Sequence, residues 1–356
     1  MRRAAAAVAA GLIAATGAAG ASAAARPPVP VLAYYYIWFN ATSWQRAKID
    51  TPLLGRYSSD EVRTMRQHIR WAQQAGIDGF VVSWKSTPTL NRRLARLIAV
   101  ARQSRFKLAI MYEGLDFERR PLPVARVARD LQFFQRHFAS SPVFHIYSKP
   151  LVIWSGTWKF TPAAIARVTS PLRSSLLLLA SQRQADDYAR VASSVDGDAY
   201  YWAAVDPFTT PGYEAKLKRL AGVVHAHGGM WIAPAAPGFD ARSLGGTSLI
   251  ARRSGKTLEA EYAAALDSSP DAIGLISWNE FSENTQIEPS TRYGSQSLDV
   301  LAGLRRAPGP RLVGFDSDNG ASSGIGNVIA FATGGTILGL LGLVLVARRR
   351  ITQNTA

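Results

Sequence analysis

The chain has no cysteine among its 356 residues. That absence excludes disulfides, thiolate metal sites and a cysteine nucleophile together. Acid is also scarce, since 25 Asp and Glu face 41 Lys and Arg for a formal charge of +16. No G-x-G-x-x-G opens a helical run and no G-x-x-x-x-G-K-[ST] occurs, so the phosphate cradles of nucleotide-binding folds are missing. Neither a G-x-y period nor a heptad run is present. What is present, 47% hydrophobic and 19% charged residues, excludes a disordered or fibrous chain. Any catalysis must come from carboxylates, His, Ser, Tyr or Lys.

Both ends read as topology signals. Met1-Arg2-Arg3, an Ala/Gly/Leu/Ile run to about Gly20 and the small-x-small Ala21-Ser22-Ala23 have the form of a cleaved export signal over residues 1–23. Residues 328–347 carry no charge and are followed at once by Arg348, Arg349 and Arg350. Twenty residues at about 1.5 Å rise match a hydrocarbon core of about 30 Å, and the arginines obey the positive-inside rule. The expectation is a single-pass protein of the cell membrane, with an extracytoplasmic domain, a lipid-embedded helix at 328–347 and a cytoplasmic tail at 348–356. Setting aside the five arginines at the ends leaves 36 basic against 25 acidic residues, a surplus of 11. That surplus is scattered at helical spacing, not gathered in a block with exposed aromatics, so it does not indicate nucleic acid. Attraction to an anionic envelope polymer stays open.

Between the ends, short β-rich runs alternate with amphipathic helical runs. The β-rich runs are 31–36, 77–83, 106–112, 150–154, 176–180, 199–202, 230–233 and 272–277. Helical spacing appears at Val62, Met65, Ile69 and Ala72, opened by a Ser58-x-x-Glu61 capping box, and again at Leu90, Leu94, Leu97 and Ile98. Eight such units argue for an α/β fold, a (β/α)₈ TIM barrel over residues 24–305, with a doubly wound sheet as the alternative. Residues 306–327, rich in Pro, Ser, Gly and Asn, read as a flexible stalk.

In such a barrel the reacting groups lie at the C-terminal ends of strands. Those ends carry Tyr36 and Trp38, Trp84, Glu113, Trp154, Tyr201 and Trp202, then Trp278-Asn279-Glu280. Aromatic faces suit the C–H faces of sugars, while carboxylates and amides suit hydroxyls, so the pattern points to carbohydrate. The densest site is residues 277–289, where Glu280, Glu283, Gln286 and Glu288 follow a wholly apolar strand. Glycosidic cleavage usually uses two carboxyl groups, and Glu280 and Glu283 lie within about 10 Å of each other along the chain. That limit admits both retaining and inverting separations. His225-x-His227 lies away from this end, Ser83 and Ser277 have no His in a recognisable order, and Asp78 and Asp240 read as loop or cap residues.

The segment Trp278-Asn-Glu-Phe-Ser-Glu-Asn-Thr-Gln-Ile-Glu-Pro289 resembles the W-N-E-W-x-E-G-T-Q-I-E-P signature of glycoside hydrolase family 99, the endo-α-mannosidase and endo-α-mannanase group. Tyr34-Tyr-Tyr-x-Trp38, Gly55-x-Tyr57-Ser58-Ser59, Ala75-Gly-Ile-Asp-Gly-Phe80-x-x-Ser83-Trp84 and Pro237-Gly-Phe-Asp240 support the resemblance in order. Family 71 glucanases and WbsX-type proteins share parts of it. The resemblance implies that Glu280 removes the proton of the sugar 2-hydroxyl so that O2 attacks C1, while Glu283 protonates the leaving group. It implies no metal or other cofactor. Phe281, Ser282 and Asn284 depart from the usual Trp, the frequent His and the usual Gly. Asn is the non-glycine residue most at ease with positive φ, so the turn is expected to survive. Tyr36, Trp38, Trp84, Glu113, Tyr201, Trp278, Asn279, Gln286 and Glu288 are the candidate substrate-binding residues. The leading expectation is a membrane-anchored glycosidase acting on α-mannosidic bonds of a polysaccharide. The alternatives are a non-catalytic carbohydrate-binding barrel and a family 71-like α-glucanase.

Overall fold

The computed structural model describes residues 29–309. The expected export signal, the membrane span, the tail and the stalk beyond residue 309 lie outside them. Eight parallel strands close into a barrel: β1 Val31–Tyr36, β2 Gly79–Trp84, β3 Lys107–Glu113, β4 Leu151–Ser155, β5 Leu177–Ala180, β6 Gly197–Ala199, β7 Met230–Ala235 and β8 Ala272–Leu275. Each strand pairs with its sequence neighbours, and β8 closes on β1 through Val31 opposite Ile273 and Ala33 opposite Leu275. The helices are α1 Val62–Gln74, α2 Pro88–Gln103, α3 Val124–His137, α4 Pro162–Thr169, α5 Ala185–Ala189, α6 Tyr213–Ala226, α7 Lys256–Asp267 and α8 Gln296–Arg305. One helix follows each strand, so the barrel reading holds over the doubly wound one. Among the described residues no helix is long and apolar enough to cross a membrane.

Local chemistry explains several element boundaries. Helices α2 and α4 open on Thr-Pro: the Thr87 and Thr161 hydroxyls accept the N–H groups of Leu90 and Ala164, and Pro at the first position lacks a donor that would go unused. The Ser58 capping box forms only in part. Glu61 Oε1 accepts the Ser58 N–H at 2.8 Å, but the Ser58 hydroxyl accepts from Asp60 N–H, and α1 begins at Val62 with an extended Glu61 before it. The sixth strand lies earlier than expected, at 197–199 instead of 199–202. Gly197 sits with φ 156° where an added Cβ would stand 2.1 Å from the Met230 carbonyl oxygen, so the pairing starts at a glycine that sequence patterning reads as a break. Tyr200, Tyr201 and Trp202 thereby leave the strand and enter the loop at the barrel mouth.

Strand alternation sorts the core into two layers. Leu32, Val81, Ala109, Ile153, Leu179 and Ile232 point into the barrel. Tyr35, Phe80, Trp84, Tyr112, Trp154 and Trp231 point outward under the helices. The parity that fills the interior also decides which strand-end residues reach the cleft.

Candidate active site

The segment after β8 folds back on itself. Ser277 N–H donates to Thr285 O at 2.9 Å, Ile287 N–H to Ser277 O at 2.8 Å, and Glu288 N–H to Trp278 O at 2.9 Å. The buried Arg252 guanidinium ties the return strand, donating to the carbonyls of Asn284 and Gln286 at 2.8 Å each. Asn284 has φ 54°, the left-handed turn expected of it, and its amide donates to Tyr293 Oη. The two acids stand on this frame. Ser277 Oγ accepts the Glu280 N–H at 2.8 Å. The Glu283 carbonyl accepts the Asp240 N–H at 2.8 Å, from a two-residue ribbon pairing Phe239–Asp240 with Leu249–Ile250.

Three carboxylates and two phenols meet above this frame. Glu113, at the end of β3, accepts from Ser83 Oγ of β2 at 2.7 Å. Tyr36 and Tyr201 share a hydrogen bond between their hydroxyls. Burial raises both phenols well above the ordinary value, and the charges of Glu280, Glu283 and Glu113 raise them further, so the five groups occupy one electrostatic neighbourhood. Trp38 is 41% exposed and lies against Tyr36 with ring centroids 4.3 Å apart, offering an apolar face at the rim.

The two acids of residues 280–283 sit in unequal settings. Burial raises Glu280, but Ser282 N–H donates to its Oε1 at 2.9 Å and the Lys48 ammonium favours its charged form. Glu283 is pushed up to about 8, by burial first and the Glu280 charge second, with Arg119 opposing. Glu113 is also raised by burial, against Ser83, Lys85 and Arg119. The Ser282 hydrogen bond favours charge on Glu280 and leaves the proton to Glu283.

The structure therefore brings Glu280, Glu283, Glu113, Tyr36, Tyr201 and Trp38 together. It places the remaining candidates beneath the cleft. Trp84 points outward from β2, fully buried, and donates to Asn91 Oδ1 of α2. Trp154 shares that outward parity and Trp278 packs on His68 and Phe80, so none of the three is a mouth aromatic. The Asn279 amide is spent on the backbone of Tyr36, accepting its N–H at 2.8 Å and donating to its carbonyl at 3.0 Å, and on Tyr57 Oη. Gln286 donates to Asp50 at 2.9 Å. Glu288 is wholly buried, accepting from Tyr57 Oη at 2.8 Å and meeting His68 Nε2 at 2.9 Å. Folding the segment back on itself turns Trp278, Asn279, Gln286 and Glu288 under the floor, which a linear reading does not show.

Sequence reasoning missed Ser83 as a partner of Glu113, His68 as a partner of Glu288, and Lys48 and Arg119 as charges beside the acids. His68 was findable, because it falls on the Met65-Ile69-Ala72 face of α1. Lys48 and Arg119 come from irregular loops and carry no periodic signal. Asp240 holds Arg242 and Asp78 accepts from Val31 N–H and Arg305, as loop residues do. His225 faces Asp271 at 3.1 Å, away from the acids. Among the described residues no three His, Asp or Glu converge as a metal site.

The model of glycosyl hydrolase family 99 matches residues 46–301, most of the chain. The chain belongs to this family. Its family-99 relatives include the human glycoprotein endo-alpha-1,2-mannosidase-like protein, 24% identical over 267 residues, and the rat glycoprotein endo-alpha-1,2-mannosidase, 22% identical over 259. Each match covers 67% of this chain and 56% of the relative, so the chain spans about half the length of the curated relatives it matches. The family-99 barrel also superposes on the endo-alpha-mannosidase of Bacteroides thetaiotaomicron with a TM-score of 0.67 at 21% identity, over 78% of this chain and 97% of that one. At that identity the likeness speaks for the fold.

Proposed function

We propose that this family-99 protein hydrolyses α-mannosidic bonds within a polysaccharide, with retention of anomeric configuration, on the extracytoplasmic face of the cell membrane. The observation that carries the chemistry is the unequal pair: Glu280 beside Lys48 and the Ser282 N–H, Glu283 raised to about 8. A charged carboxylate and a protonated one in one desolvated cleft are what base and acid require at neutral pH. Glu280 takes the proton of the sugar 2-hydroxyl, O2 attacks C1, and Glu283 gives its proton to the departing oxygen. The product is a 1,2-anhydro sugar. Glu283, now ionised, takes a proton from water as that water opens the ring at C1, and O2 recovers its proton from Glu280. Two inversions at C1 give net retention. In an α-mannoside the axial O2 lies anti to the axial leaving group, whereas in an α-glucoside the two are cis, so the mechanism selects manno configuration. Glu113, held by Ser83, and Trp38 supply a hydroxyl partner and an apolar face.

Membrane tethering rests on the apolar run 328–347 and its arginine triplet. Activity is tested by incubating the full chain with α-mannans and α-glucans and measuring released reducing ends. α-Mannan is expected to be cleaved, with Glu280→Gln and Glu283→Gln each lowering the rate by about 10²–10⁴-fold. Release from no α-mannan, or equal release by the variants, overturns the assignment, and release from no polymer at all leaves a glycan-binding barrel.

A further inference from the structure

The mouth of the barrel carries a guanidinium, that of Arg183, with no carboxylate partner among the described residues. Arg183, in the loop after β5, lies between two indoles, its guanidinium carbon 4.1 Å from the Trp158 ring and 4.8 Å from the Trp202 ring. Trp158 follows β4 and Trp202 follows β6, so three consecutive loops at the catalytic end build the clamp. Arg183 Nε is buried without a partner. Among the described residues neither Arg183 nor Arg119 makes a side-chain hydrogen bond or an ion pair. Arg119 is exposed, but elsewhere half-buried arginines like Arg183 are engaged: Arg96 with Asp60, Arg126 with Asp130, Arg173 with Asp196 and Arg305 with Asp78.

Arg119 connects the clamp to the acids. Its charge acts on Glu283 and Glu113 on one side and on Arg183 on the other. Arg119 has the acids to offset it, whereas Arg183 has no counter-ion of its own, so an arriving anion would meet an unpaired guanidinium. The clamp also argues against a plain sugar platform, since the guanidinium lies over both indole rings. The two ring contacts hold the guanidinium in place and leave its Nη groups to make hydrogen bonds with an oxyanion.

We infer that Arg183, clamped by Trp158 and Trp202 and assisted by Arg119, reads an oxyanion carried by the glycan, a phosphate ester or a carboxylate, in a subsite beside the point of cleavage. The preferred substrate is then an acidic α-mannoside-containing glycan. This deepens the proposed function and rests on its reading that the cleft binds glycan.

The test is isothermal titration of the full chain bearing Glu283→Gln, which blocks turnover, with three manno-oligosaccharides of one length. One is neutral, one carries a phosphomonoester and one a hexuronic acid. At least one acidic glycan is expected to bind about tenfold more tightly than the neutral one, and the acidic glycan that does so identifies the oxyanion. Adding Arg183→Gln is expected to bring the ratio of acidic to neutral affinity close to one, with Arg183→Lys intermediate because it keeps charge but loses the planar fork. Independently of any variant, raising salt from about 50 mM to about 500 mM should shrink the same ratio. Equal affinity for neutral and acidic glycans overturns this inference while leaving the functional reading in place. Binding of none of the three overturns both.

Discussion

Glu283 and Glu288 stand five residues apart in one hairpin and live in opposite conditions. Glu288 is fully buried and satisfied, one oxygen taken by Tyr57 and the other by His68, which in turn meets Tyr35 Oη at 3.0 Å. Glu283, nearer the solvent, faces Glu280 and Glu113 with only the influence of Arg119 to offset them. A carboxylate whose partners are complete holds the fold. One surrounded by like charge is unstable as an anion, keeps its proton, and can donate it to a leaving group. The same division runs through the tryptophans: Trp84 fills the layer between β2 and its helices, whereas Trp38 leans on Tyr36 at the rim.

The comparison breaks most visibly at Glu288. Glu288→Ala leaves His68 and Tyr57 buried without their acceptor, and is expected to cost about 3–5 kcal/mol of stability by urea unfolding. A loss of activity with unchanged stability would instead put Glu288 among the groups that touch substrate. The tryptophans give the next contrast. Trp84→Ala should cost about 3–5 kcal/mol, while Trp38→Ala should leave the unfolding midpoint nearly unchanged and raise KM several-fold. Equal destabilisation by both would remove the distinction between rim and core.

A smaller effect concerns protons. Glu283 is raised in the folded state, so its contribution to stability is complete below the unfolded-state carboxyl range and is lost as pH rises through about 8. Glu283→Gln removes that loss. The variant should therefore melt increasingly above the wild-type protein as pH climbs from about 4 to about 9, and a constant difference would mean that Glu283 is ionised throughout. The smallest expected change is at Asn284, where Gly relieves a positive φ but gives up the bond to Tyr293. Asn284→Gly should shift stability by no more than about 1 kcal/mol.

Much of this molecule was legible before its structure. All eight strands start within two residues of where apolar patterning puts them, and seven of them end within two as well, because parallel barrel strands are continuous apolar runs. Strand β6 slipped because its defining feature is a glycine pressed against Met230, a tertiary requirement with no local signature. The acids Glu280 and Glu283 stood out as carboxylates leaving an apolar strand. The expected roles of Trp84 and Asn279 failed for geometric reasons: one lies on the outward parity of its strand, and the other spends its amide on the neighbouring strand β1. Lys48 and Arg119 reach the cleft from separate irregular loops, and only closure of the barrel sets their charges beside the acids.

The central claim is that Glu280 and Glu283 divide base and acid work on an α-mannoside. Proton NMR of the sugar first released from α-mannan, recorded before mutarotation, tests it most directly. The account predicts that the α-anomer appears first with the wild-type chain and disappears with either Glu280→Gln or Glu283→Gln. The β-anomer appearing first, or an α-anomer that persists in both variants, would contradict it.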